Sequence, residues 1–108
     1  MTLAFETVTV PLRTDATGVV RVGGTRVTLD TVMAAYKAGA RAEDITRQYP
    51  VLQLADVYFV LGYYLRNRDE VESYLRAREE RAAEARKQIE SQPDWPEFEE
   101  RLRALRAN

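Results

Sequence analysis

A chain of 108 residues with 45% hydrophobic content holds one modest core and leaves a tail over. It contains no cysteine and no histidine, which excludes disulfides, thiolate chemistry and the commonest general base and metal ligand. A formal net charge of -1 excludes whole-molecule attraction to nucleic acid, so any such contact has to be local.

Along residues 1–17, Val8, Val10 and Leu12 alternate with polar residues as a half-buried strand does, while Pro11 places that strand at an edge or in an arm. "TDATG" has turn chemistry. In "VVRVGGTRVT" the Gly23-Gly24 pair suits a two-residue hairpin turn, predicting that Val22 faces Thr25, Arg21 faces Arg26 and Val20 faces Val27. Arg21 and Arg26 then sit cross-strand on the outer face. They act either as a clamp for an anion such as phosphate or as an internal tie to acids such as Asp30 or Asp56.

Three helices follow. Leu29, Val32, Met33 and Tyr36 share a face, with Thr28 or Asp30 as the N-terminal cap and Gly39 as the stop. Glu43 and Asp44 favour the first turn of the next helix, Ile45 and Tyr49 share its face, and Pro50 ends it. After a short link, "LADVYFVLGYYLRN" carries a stripe of Leu54, Val57, Leu61 and Leu65, giving helix, tight turn, helix. Tyr58, Phe59, Tyr63 and Tyr64 cannot all enter one small core beside that stripe. They are core or boundary residues, or some of them form a homodimer seam.

A polar break at Asn67 to Asp69 opens residues 67–108, a charged helical extension. Its first part, rich in Arg and Glu at helical spacings, predicts a long solvated helix, and "SQPDWPEF" interrupts it. The last segment puts Trp95, Phe98, Leu102 and Leu105 on one face, for a partner or for folding back. No apolar run approaches the roughly 20 residues of a membrane span, and no basic region precedes an apolar block at the N-terminus. A cytoplasmic protein without membrane association is expected. Ser73 and Ser91 lie in charged surroundings, and the adjacent Glu43 and Asp44 point apart on a helix, so no enzyme, cofactor or metal is expected either.

The ordered succession Arg21, Gly24-Thr25-Arg26, Gly39-Ala40, Glu43, Ile45, Tyr49-Pro50, then Leu54, Asp56 and Val57 resembles the domain-of-unknown-function 433 family of small bacterial and archaeal proteins. The likeness covers roughly residues 18–66. It implies a mainly α, homeodomain-like or winged helix-turn-helix bundle with a small N-terminal β-hairpin. It also implies an antitoxin of the VapB kind, paired with a toxin of PIN-like nuclease fold and bound to operator DNA. The helix beginning near Leu54 would then enter the major groove. Gln53 could pair with adenine there, but no Arg or Lys occurs from Val51 to Leu65. Phosphate contacts fall to Arg21, Thr25 and Arg26 on the hairpin and to Arg41 and Arg47 on the preceding helix, and the weakness of that set calls for a homodimer. The toxin would take Trp95, Phe98, Leu102 and Leu105. The alternative is a homodimeric protein-interaction module that keeps the fold without reading DNA.

Overall fold

The computed structural model describes residues 2–107, the side chain of Ala107 excepted. The chain divides into two compact units, the first running through Arg68 and the second beginning at Asp69. Among the described residues, two short strands precede five helices, and mainly α is the class expected.

Residues 2–11 form no regular element, and β1 (Leu12–Thr14) starts directly after Pro11, which has no N–H to give a ladder. β1 pairs antiparallel with β2 (Val20–Val22) in the register Leu12↔Val22, Arg13↔Arg21 and Thr14↔Val20. The connection is closed by the Asp15 carboxylate, whose Oδ1 accepts from the Thr17 N–H at 2.8 Å and the Val19 N–H at 3.1 Å. Gly18 supplies the left-handed φ of 88° that this turn needs.

The hairpin is therefore one step upstream of the position expected for it. The two-residue turn at Gly23-Gly24 fails because only Gly23 takes a positive φ, 56°. The Thr25 N–H reaches Val22 O at 3.2 Å, the Val22 N–H reaches Val27 O at 2.9 Å, and an isolated bridge joins Arg21 to Thr28. Arg21 thus stands opposite Arg13, not Arg26.

α1 (Leu29–Lys37) is capped by Thr28, whose side chain accepts from the Thr31 N–H. It closes in a Schellman motif: the Gly39 N–H bonds Tyr36 O, the Ala40 N–H bonds Ala35 O, and Gly39 takes a φ of 100°. α2 (Ala42–Gln48) starts where Asp44 Oδ2 accepts from the Arg41 N–H at 2.9 Å, and stops before Pro50. α3 (Leu54–Arg66) ends at Asn67, whose N–H and side-chain amide both bond Tyr63 O.

The core of this unit gathers Val22 from β2, Leu29, Val32 and Met33 from α1, Ala42 and Ile45 from α2, Leu52 from the turn, and Val57, Val60 and Tyr64 from α3. Tyr64 meets Tyr36 edge-on, with ring centroids 6.0 Å apart. Of the expected α3 stripe only Val57 is buried; Leu61 is half-buried, and Leu54 and Leu65 are exposed. The inner face is Val57, Val60 and Tyr64, because α3 is apolar almost all round and its spacing admits two phases.

In the second unit, α4 (Arg68–Glu90) is exposed at every position from 81 to 90, as a solvated helix should be. A turn at 91–94 leads into α5 (Trp95–Ala107), where Arg101 pairs with Glu97 and Arg103 with Glu99 one turn apart.

Candidate functional site

The expected anion site at the hairpin does not assemble as a pair of outward arginines. Arg21 Nε lies 2.9 Å from Asp15 Oδ2, and its Nη1 donates to the backbone carbonyl of Arg26 at 2.8 Å. Arg21 is a strut between the β1–β2 turn and the loop after β2. Its acid is Asp15, not Asp30 or Asp56 as expected, because the Asp15 turn folds back beside β2. The Asp15 carboxyl is held well below the ordinary carboxylate range, first by the Thr17 hydroxyl and then by the Val19 and Thr17 N–H groups and Arg21. Thr25 is also engaged: its Oγ1 donates to Val22 O at 2.7 Å and accepts from the Val27 N–H at 3.1 Å.

The remaining expected contacts fall in two groups. The Arg26 side chain is exposed beside the hairpin, and Arg41 and Arg47 are exposed at the two ends of α2, where Arg47 lies 3.9 Å from Asp44. Gln53 is the exposed N-terminal cap residue of α3 and makes no side-chain capping bond. Asp56 faces the hairpin: a Cβ on Gly23 would lie 3.4 Å from its Oδ2.

The outer face of α3 holds part of the aromatic surplus expected there. Ala55, Tyr58, Phe59, Gly62 and Arg66 follow one another at helical spacing and, with Val10 from the segment before β1, line an open groove of about 580 Å³. Tyr58 and Phe59 are 52% and 46% exposed, values that place two aromatic rings in water on a helix whose opposite side is fully buried. The Tyr58 hydroxyl donates to Glu43 Oε1 on α2, which fixes the ring on the groove wall. That bond pulls the Glu43 carboxyl below its ordinary value and raises the Tyr58 phenol above its own. Four tyrosines and phenylalanines in nine residues already signalled a surplus over the core; Val10, Ala55, Gly62 and Arg66 carried no such mark.

In the second unit, Trp95 and Phe98 stack at 5.9 Å with their rings tilted by 46°. Trp95 and Leu102 are half-buried, and Phe98 and Leu105 are exposed, so the α5 stripe stays open to solvent in part. Among the described residues no cluster of acidic side chains could hold a metal ion, and no helix is long and apolar enough to cross a membrane.

A two-stranded hairpin seated on three helices, the last two in helix-turn-helix order, defines a small helix-turn-helix domain. Residues 16–64, from the β1–β2 turn to the last turn of α3, match the family described as "Protein of unknown function (DUF433)". No curated protein and no solved structure matches the chain.

Proposed function

We propose that the protein is a homodimeric protein-interaction module, in which the outer face of α3 joins two copies and the α5 stripe takes a protein partner. The observation that carries this reading is the chemistry of that α3 face. A helix that enters a major groove presents cations and amides to phosphates and base edges. This one presents Ala55, Tyr58, Phe59 and Gly62, with its first cation at Arg66 in the last turn. Aromatic side chains of this kind anchor protein interfaces, whose centres lose water and exclude charge. Light scattering on the full chain at tens of micromolar tests the reading: a dimer is expected, and Phe59→Glu reduces it to a monomer. A monomeric wild-type chain at that concentration ends the proposal.

The second reading is an antitoxin that binds operator DNA and neutralises a PIN-like nuclease through α5. Its support is the exposure of Arg26, Arg41, Arg47 and Gln53 on the hairpin and around α2 and α3. Arg21 and Thr25 serve the fold in this reading, so the phosphate contacts reduce to Arg26, Arg41 and Arg47. A gel shift with DNA upstream of the gene distinguishes the two. Specific binding that weakens in the Arg26→Ala/Arg41→Ala/Arg47→Ala variant favours the antitoxin, and no shift at low salt rejects it. Co-purification with the neighbouring gene product, with and without residues 92–108, identifies the partner of α5.

A further inference from the structure

Resting on the dimeric reading above, we infer that the α3 groove is filled by the N-terminal arm, residues 2–9, of a second copy of this chain, each copy lending its arm to the other. The arm has no regular structure, yet it carries Leu3, Phe5 and Val8 at 74%, 87% and 61% exposure. One chain therefore displays both an apolar segment and an apolar groove. The chain's own arm does not lie in its own groove: Val10 lines it, and the residues before Val10 leave it for solvent.

Length and charge match as well. From Ala55 to Arg66 the groove wall is twelve residues of helix, about 16 Å at the α-helical rise. An extended segment from Leu3 to Val8 spans about 17 Å. Glu6 is the arm's single charge and Arg66 the groove's, both exposed, so a seated arm gains one complementary pair without burying an unmatched charge. Reciprocal exchange also closes the assembly at two copies, because each groove is satisfied by the arm of the copy it serves.

Three measurements on the full chain test this. First, light scattering of the Leu3→Ser/Phe5→Ser/Val8→Ser variant: the dimer dissociation constant rises by at least about tenfold, as loss of anchor residues requires. Second, the charge swap: Glu6→Arg and Arg66→Glu each weaken the dimer, and the two together restore it. Third, cysteine pairing, which is clean because the chain has none of its own. Gly62→Cys serves as the groove probe, since a Cβ there meets nothing within 4 Å. Mixed with Leu3→Cys, Phe5→Cys or Val8→Cys chains under mild oxidation, it yields a disulfide between copies for at least one arm position, above the yield of each chain alone.

A dimer indifferent to the arm variants, or a mixture with no excess of cross-linked chains, overturns the exchange and leaves the dimeric reading standing. An intrachain disulfide in the Phe5→Cys/Gly62→Cys double variant, with no cross-linked dimer, shows the arm closing on its own groove and overturns it too. A monomeric wild-type chain overturns both.

Discussion

The two faces of α3 are made of similar material and meet opposite surroundings. Inward, Val57, Val60 and Tyr64 close the core against β2 and α2; outward, Tyr58, Phe59 and Gly62 stand in water along a groove. The helix is more apolar than a domain of this size can use, and the surplus is collected on one side instead of being scattered. Scattered apolar surface is ordinary, whereas a contiguous stripe is what association uses. The hairpin shows the same contrast with the sign of charge. Arg21 is tied into the fold by Asp15 and the Arg26 carbonyl, while the Arg26 side chain is left outside.

The largest predicted effect separates the two faces of this packing. Ile45, fully buried beneath α3's inner side, loses about 3 kcal/mol of stability on replacement by alanine, the usual sum of lost transfer energy and a cavity. Urea unfolding followed by circular dichroism shows this as a lower midpoint at every protein concentration. Phe59→Ala, on the outer face, leaves the stability of the isolated chain within about 0.5 kcal/mol of wild type. What it removes is the concentration dependence of the midpoint that a dimer imposes. If Phe59→Ala lowers the midpoint as much as Ile45→Ala does at low concentration, the outer face is part of the core and the contrast collapses.

A second contrast lies within the glycine pair of the motif. Gly23 has a φ of 56° and Gly24 does not take a positive φ, and a Cβ at Gly24 meets nothing within 4 Å. Gly23→Ala costs about 1 kcal/mol through backbone strain. Gly24→Ala is neutral or slightly stabilising, since it narrows the unfolded chain alone. Thermal unfolding of the two variants side by side reads the difference. Equal destabilisation by both would restore the symmetric turn expected from the sequence.

How much of this was legible follows from how local each signal is. Helix ends were readable because they are written in single residues: Thr28 as a cap, Gly39 as a stop, Pro50 after α2 and Asn67 after α3. The hairpin register was not, because "TDATG" and "VGGT" both carry turn chemistry and the choice between them is made by Leu12–Thr14, a strand that starts where the alternation of Val8, Val10 and Leu12 ends, not along it. The inner face of α3 was ambiguous for the opposite reason, an excess of apolar positions instead of a shortage. The surplus of aromatics in "VYFVLGYYL" did reveal that something had to face outward; which rings did so was settled by packing, with Tyr64 drawn in against Tyr36 and Tyr58 held out by Glu43. Arg21 needed an acid, but proximity in three dimensions picked Asp15. The clue lay in the Asp-x-Thr turn, whose carboxylate already binds its own loop and presents its second oxygen to β2.

The smallest effect tests that last pairing through pH. The Asp15 carboxyl is held well below its ordinary value, so the unfolded chain takes up the proton first as pH falls. Its contribution to stability is complete above the ordinary carboxylate pKa of about 3.9 and is lost as pH falls toward the lowered value in the folded chain. Asp15→Asn retains an oxygen for the Thr17 and Val19 N–H groups but has no charge for Arg21 and no proton to gain. Melting temperatures measured from pH 7 to pH 2.5 are therefore expected to lie lower for the variant above about pH 4, with the gap to wild type narrowing steadily below that. Arg21→Ala removes one of several causes of the shift, so its gap to wild type narrows over the same range by less. Curves for wild type and Asp15→Asn that run parallel throughout would mean that the Asp15 charge is screened by solvent, and that Arg21 is free to meet an anion after all.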